Sequence, residues 1–228
     1  MRLKNQHNII QIKNYDFLQD KCKKSRHGDL LPNTIRALLV GPSNCGKTNA
    51  MISLLESPNG LKFENIYLYS KSLYQPKYQY LKKLIESIKG MGFYTFSNNE
   101  DVIQPEEAKK NSVMIFDDVA CDKQNNIRAY FCMGRHRNID SFYLCQTYTH
   151  IPKHLIRDNA NFIIVFKQDE MNMKHIYKDH VGSDMNFIKF SEICSECWRD
   201  KYGFLVISKD DDLQNGRYRK GFSTFIQS

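Results

Sequence analysis

The stretch that decides the fold is Ala37-Leu38-Leu39-Val40-Gly41-Pro42-Ser43-Asn44-Cys45-Gly46-Lys47-Thr48. Its last eight residues match the pattern G-x-x-x-x-G-K-[ST] at every fixed position, directly after an apolar run. Glycine lets such a loop point successive backbone N–H groups at phosphate oxygens, and the following helix adds the positive end of its dipole. The stretch therefore predicts a P-loop that binds a nucleoside triphosphate.

Each part of this loop has a predicted task. Lys47 is expected to reach the β- and γ-phosphates, and the Thr48 hydroxyl is expected to bind Mg²⁺. ATP and Mg²⁺ are thus the expected ligands. The residues predicted to bind the nucleotide are the loop and the residue after it, namely Gly41, Pro42, Ser43, Asn44, Cys45, Gly46, Lys47, Thr48 and Asn49.

Two further strands are predicted to end in polar residues that complete the site. The apolar run Val113–Phe116 is followed by Asp117 and Asp118. We expect Asp117 to hold Mg²⁺ and Asp118 to polarise the attacking water; the alternative is an ordinary solvated turn. Gln146, after Phe142–Cys145, is expected to sense the γ-phosphate, the alternative being a simple strand cap.

Apolar runs and amphipathic stretches alternate along the chain, which predicts an α/β fold with a mostly parallel sheet. Adjacent carboxylates and an inserted strand indicate the RecA-like, additional-strand division of P-loop NTPases, with a three-layer αβα core. The predicted strands are Thr34–Val40, Asn65–Tyr69, Phe93–Phe96, Val113–Phe116, Phe142–Cys145, Phe162–Phe166 and Phe204–Ile207. The predicted helices are Thr48–Leu55, Tyr80–Lys89, Asn126–Cys132, Glu170–His180 and Asn186–Trp198.

Length and composition further limit the protein class and the domain organisation. The 228 residues, 41% hydrophobic and 25% charged, exclude disordered and collagen-like classes. We predict a basic N-terminal arm over 1–29, an ATPase domain over 30–208 and a tail or edge hairpin over 209–228. Apolar runs of about five residues fall short of the roughly 20 that a membrane span needs. No signal peptide pattern is present, so an intracellular protein with reduced cysteines is expected.

Together these motifs resemble the viral genome-packaging ATPases of the FtsK–HerA superfamily. The resemblance is to those of poxviruses and other large DNA viruses, virophages and Polinton/Maverick elements. It covers roughly Leu30 to Ile207 and rests on Gly41–Thr48, Asp117-Asp118, Gly134–Asp140, and Gln146 followed by Ile151-Pro152. It implies a ring, expected to be hexameric, that threads double-stranded DNA into a preformed capsid. A capsid or portal vertex protein is the implied partner, at assembly sites in the host cytoplasm or nucleus, or in association with the virion.

The resemblance also implies an arginine that acts on the neighbouring subunit's γ-phosphate. Arg135 is the first candidate, Arg137 the second and Arg157 the rival; the alternative for each is a surface salt bridge. One departure is that Asp118 stands where bacterial translocases commonly have glutamate.

DNA contact is expected to be independent of sequence and to use phosphates, in keeping with the net charge of +8. Every candidate could instead belong to a solvated face. The candidates are the basic residues of Lys21–Arg26, Lys71, Lys77, Lys82, Lys83 and Arg217–Lys220.

Other interpretations stay open at the sequence level. The chain could be a helicase-like or conjugation-type motor, a small-molecule kinase, or a capsid-interaction protein that binds ATP without turnover. Cys194 and Cys197 have zinc-ligand spacing, with His175 and His180 upstream, but the same spacing suits cysteines packed in a core. Cys45 lies at a helix N-terminus, which tends to lower a thiol pKa, but the preferred interpretation is that this loop position tolerates many residue types.

Overall fold

The computed structural model describes residues 25–227 as nine strands and five α-helices. The strands are β1 Arg36–Val40, β2 Asn65–Ser70, β3 Gly92–Phe96, β4 Ser112–Asp117, β5 Ile139–Cys145, β6 Phe162–Phe166, β7 Phe204–Ser208, β8 Tyr218–Lys220 and β9 Thr224–Phe225. The helices are α1 Lys47–Glu56, α2 Pro76–Glu86, α3 Asn125–Met133, α4 Glu170–His180 and α5 Phe187–Cys197. None of the helices in this part of the chain is long and apolar enough to cross a membrane.

One sheet runs through the molecule in the order β3-β2-β4-β5-β1-β6-β7-β8-β9. The first six strands in this order are parallel, whereas β7, β8 and β9 pair antiparallel. The predicted α/β fold with an additional strand is confirmed. The inserted strand is β5, which separates β1 from β4 in the sheet; β2 and β3, which come between them in sequence, lie outside.

Helices cover both faces of the sheet. Along β1, Leu38 and Val40 face one hydrophobic core while Ala37 and Leu39 face the other, because successive side chains of a strand point to opposite sides. Helices α1 and α2 pack on the second of these cores, and α3, α4 and α5 on the first. The result is the predicted three-layer αβα arrangement, in which the central strands are buried on both faces.

Local sequence explains where the helices begin. The side chains of Asp169 and Asn186 accept hydrogen bonds from Asn172 N and Lys189 N, which caps α4 and α5. Helix α2 begins at Pro76, four residues before the predicted start, because proline already has the helical φ and needs no N–H partner in the first turn.

The chain enters the sheet at the edge opposite the P-loop. His27 and Asp140 are both buried, with 3.1 Å between His27 Nε2 and Asp140 Oδ2. Arg26 NH2 lies 3.2 Å from the same carboxylate oxygen. Asp140 Oδ1 accepts a hydrogen bond from Ile35 N, just before β1. These contacts attach residues 26 and 27 to the beginning of β5.

Candidate nucleotide-binding site

A cleft of about 410 Å³ lies at the carboxyl ends of β1, β4 and β5. Parallel strands bring the residues that follow them to one edge of a sheet, and open α/β sheets bind their ligands there. The cleft is lined by Ser43, Asn44, Gly46, Lys47, Thr48, Gln75, Lys77, Asp117, Asp118, Ala120, Cys121, Leu144, Cys145, Gln146, Thr147 and His150.

The lysine of the loop is held inside it. Lys47 is buried, and its Nζ donates hydrogen bonds to Gly41 O at 2.6 Å and Pro42 O at 2.9 Å. Gly46 has φ 110°, which side chains rarely adopt, and a Cβ there would meet the rings of Phe166 and Tyr202. The loop thus encloses the ammonium group of Lys47.

The nine residues predicted to bind the nucleotide differ in their positions relative to the cleft. Five of them line the cleft, while Gly41 and Pro42 contribute the carbonyls that hold Lys47. Asn49 does not line the cleft and faces a neighbouring groove with Ile52. The half-buried Cys45 thiol has a raised pKa because burial outweighs the nearby Lys47 charge.

The two predicted magnesium ligands lie in the same cleft. Asp117 ends β4 and is 8% exposed, and Thr48 is in the first turn of α1. Hydroxyl and carboxylate oxygens are the donors that Mg²⁺ prefers, usually with one or two carboxylates and the substrate's phosphates. Burial raises the pKa of Asp117, and the hydrogen bond from Tyr78 opposes that shift. This donor set fits a magnesium ion bound together with a nucleotide.

The remaining predicted catalytic groups of the cleft are exposed. Asp118 follows Asp117 in a left-handed backbone conformation, with φ 57°, which turns the chain sharply at the end of β4. Gln146 is the first residue after β5, next to β4 in the sheet. Asp118 and Gln146 therefore lie on the same side of the P-loop.

The predicted arginines lie elsewhere. Arg135 and Arg137 precede β5, whose seven residues place them roughly 20 Å from the cleft of their own chain. Arg135 is exposed, whereas Arg137 is half-buried and donates to Ala108 O. Arg157 NH1 lies 2.7 Å from Asp179 Oδ2 in a largely buried pair. Of the three, Arg135 is the most exposed.

Three of the candidate DNA-contacting residues form contacts within the fold. Arg219 is 1% exposed and binds Leu30 O, Gly216 O and Asp211. Arg217 pairs with Asp184, and Lys220 lies 3.1 Å from Glu196 Oε1. These three basic residues in and next to β8 therefore have partners within the fold.

Other basic candidates have different surroundings. Lys71 lies 3.2 Å from Asp122 Oδ2, and Lys82 makes a weak pair with Glu86. Lys77 lines the nucleotide cleft. The basic residues at 21, 23 and 24 lie outside the described part of the chain, whereas Arg26 is bound to Asp140.

The zinc alternative finds no support in the described part of the chain. Cys194 and Cys197 are both fully buried on α5, in the apolar core. Burial raises the pKa of Cys197 to about 12, so the thiolate that zinc needs is disfavoured. His180 is likewise buried, and residues 25–227 contain no cluster of three metal-binding side chains.

Sequence reasoning missed the contribution of α2. Gln75 and Lys77 line the cleft, and Tyr78 contacts Asp117. Pro76 was the available signal, since proline favours the first helical turn and would have moved the predicted start of α2 towards the P-loop. His150, in the turn after β5, also lines the cleft, and no sequence pattern predicts that position.

Comparisons with known proteins agree with this architecture. The genome packaging NTPase B204 from Sulfolobus turreted icosahedral virus 2, in complex with sulfate, superposes with a TM-score of 0.57 at 16% identity, covering 85% of this chain and 98% of that one. Its complex with ATP-gammaS gives a TM-score of 0.54 at 14% identity, covering 85% and 98%. At these identities the likeness shows a shared fold.

Sequence relatives give a closer relationship. The DNA packaging protein OPG160 of Vaccinia virus (strain Copenhagen) is 33% identical over 143 residues, covering 57% of this chain and 52% of the relative. The Variola virus protein of the same name is 34% identical over 137 residues, covering 54% and 50%. The chain spans about half the length of these curated relatives.

The family model described as "Poxvirus A32 protein" matches residues 22–220, nearly the whole chain. The matched region includes the P-loop, the Asp117-Asp118 pair, Gln146 and the strands that carry them. The chain therefore belongs to the poxvirus A32 protein family.

Proposed function

We propose that this chain is a Mg²⁺-dependent ATPase that drives double-stranded DNA into a viral capsid. The main observation that supports this proposal is the position of the P-loop, Asp117, Asp118 and Gln146 around one cleft. The chain also belongs to the A32 family. The DNA step is supported by the name of the poxvirus relatives, DNA packaging protein.

The residues of the cleft have distinct tasks in this reaction. Lys47 binds the β- and γ-phosphates. Thr48 and Asp117 would hold Mg²⁺, which when bound neutralises charge that develops on the phosphates. Asp118 polarises the attacking water. The Gln146 amide contacts that water and the γ-phosphate.

The proposal extends to an assembly. A ring, proposed as a hexamer, lets Arg135 of one subunit reach the γ-phosphate held by the next, where it stabilises charge in the transition state. The ring grips DNA phosphates without reading sequence and works with a capsid or portal vertex protein at viral assembly sites.

The test measures ATP hydrolysis with and without long double-stranded DNA, at low and high salt. We expect DNA to raise the rate at low salt and high salt to remove the increase, because phosphate contacts weaken steeply with salt. Lys47→Ala should lower turnover roughly 100-fold or more. Lys174→Ala, on the exposed side of α4, is the matched control and should retain turnover.

Each negative result of this experiment would contradict a different part of the proposal. Turnover that depends on Lys47 but ignores DNA at both salts would argue against a DNA motor and leave an ATPase. Transfer of the γ-phosphoryl group to a small acceptor would instead identify a kinase. Absence of nucleotide binding would contradict the proposal as a whole.

A further inference from the structure

A buried tyrosine lies next to the proposed magnesium ligands. Tyr78 is in the first turn of α2, is 2% exposed, and donates a hydrogen bond from its hydroxyl to Asp117 Oδ2. The carboxylate that receives this bond is itself 8% exposed. A buried hydrogen bond to a charged group is among the stronger ones in proteins, so it restricts the orientation of the carboxylate.

The contact joins two elements. A single hydrogen bond links Tyr78, in the first turn of α2, to Asp117 at the end of β4. Strand alternation explains the meeting: Val113 and Ile115 pack in the core beneath α1 and α2, and Asp117 follows at the same parity. Because α2 begins at Pro76, its first turn lies over that end of β4.

We propose that Tyr78 is a positioning residue for the magnesium site, holding the Asp117 carboxylate in the orientation that the ion needs. The inference rests on the proposed function, since it concerns the same cleft. Partners that hydrogen-bond a metal ligand fix its orientation, and losing such a partner typically costs 10- to 100-fold in metal affinity or activity. Tyr78 does not itself touch the nucleotide in this account.

The experiment measures binding of a fluorescent ATP analogue by the full chain, first in EDTA and then during a Mg²⁺ titration. For Tyr78→Phe we expect affinity in EDTA to stay within about twofold of the unsubstituted chain, because the phosphate loop is unchanged. The Mg²⁺ concentration at the midpoint should rise about tenfold or more. A purely structural role would not separate these two readouts.

The matched control is Tyr218→Phe. Tyr218 is also 2% exposed and also donates to a carboxylate, Asp184 Oδ2 at 2.6 Å, but it lies on β8 away from the cleft. This variant should change neither the affinity in EDTA nor the Mg²⁺ midpoint. An equal shift of the midpoint in both variants would count against the proposal.

Two other outcomes would overturn the inference. One is an unchanged Mg²⁺ midpoint in Tyr78→Phe. The other is a loss of affinity in EDTA as large as the loss in Mg²⁺, which is also how an unfolded variant would behave. If the unsubstituted chain bound nucleotide in a Mg²⁺-dependent manner, either outcome would leave the proposed ATPase intact. A chain that bound no nucleotide at all would overturn both proposals.

Discussion

Asp118 shows how backbone conformation selects a residue type in the cleft. Its φ of 57° lies in the left-handed region, which aspartate and asparagine tolerate better than other side chains with a Cβ because their short polar groups can bond locally. Glutamate lacks this advantage. The aspartate found where bacterial translocases commonly have glutamate therefore matches the turn that this chain makes after β4.

Replacing Asp118 by asparagine should affect catalysis, whereas replacing it by glutamate should affect stability. We expect Asp118→Asn to retain stability and nucleotide binding but to lower ATP turnover roughly 100-fold, since the amide is a poor base. Asp118→Glu should lower the free energy of unfolding by about 1 kcal/mol through backbone strain. Urea unfolding and ATPase rates check both, with Asp200→Glu as the exposed control. A faster and equally stable Asp118→Glu chain would refute this account.

At the scale of elements, β8 depends on a buried arginine. Arg219 binds the carbonyls of Leu30 and Gly216 and the Asp211 carboxylate, and it is the largest fully buried side chain. The pKa of Arg219 is lowered by burial, with Asp211 opposing the shift. This one side chain connects the beginning of the described domain with its last strands.

Truncating that arginine should destabilise the protein strongly. Arg219→Ala leaves buried carbonyls without donors, so we expect a loss of about 3 kcal/mol in the free energy of unfolding. Arg199→Ala is the control, because Arg199 is 74% exposed and its surface pair with Glu196 should contribute little to stability. Denaturant unfolding of both variants makes the comparison. Similar losses would mean that the buried contacts of Arg219 contribute little.

At the scale of the whole molecule, the cleft and Arg135 lie at opposite edges of the sheet. A residue so placed cannot serve its own cleft, but it can serve a cleft on an adjacent copy. In the proposed ring, the active site would form between two subunits, so isolated subunits are expected to be poor ATPases.

Mixing inactive variants tests this arrangement. Arg135→Ala and Asp118→Asn chains should each be inactive alone, yet an equal mixture should recover activity, because roughly a quarter of interfaces then combine an intact arginine with an intact cleft. Steady-state ATP hydrolysis in the presence of DNA is the measurement. Arg137→Ala in place of Arg135→Ala is the control, expected to be active on its own. A mixture as inactive as its components would exclude Arg135 from the neighbouring site.

The predictable and unpredictable parts of the molecule have separate physical origins. Buried strands such as β6, predicted over its observed range, are continuous apolar runs, and the P-loop is constrained at four positions by phosphate geometry. The roles of Arg219 and Tyr78 depend on which distant groups meet them, and a basic or aromatic residue type does not carry that information. Sequence therefore identifies groups that bind phosphate more readily than groups that hold them in place.

The buried contact between His27 and Asp140 has a mechanical consequence. It attaches the incoming chain to one end of β5, and Gln146 follows the other end of the same strand. Tension applied through the chain before residue 26 would be directed along β5, whose hydrogen bonds to β1 and β4 would be loaded together in shear. A pull at that end of the molecule would thus reach Gln146 at the cleft end of β5, and also the loop after α1, where His27 Nδ1 accepts a hydrogen bond from Lys62 N.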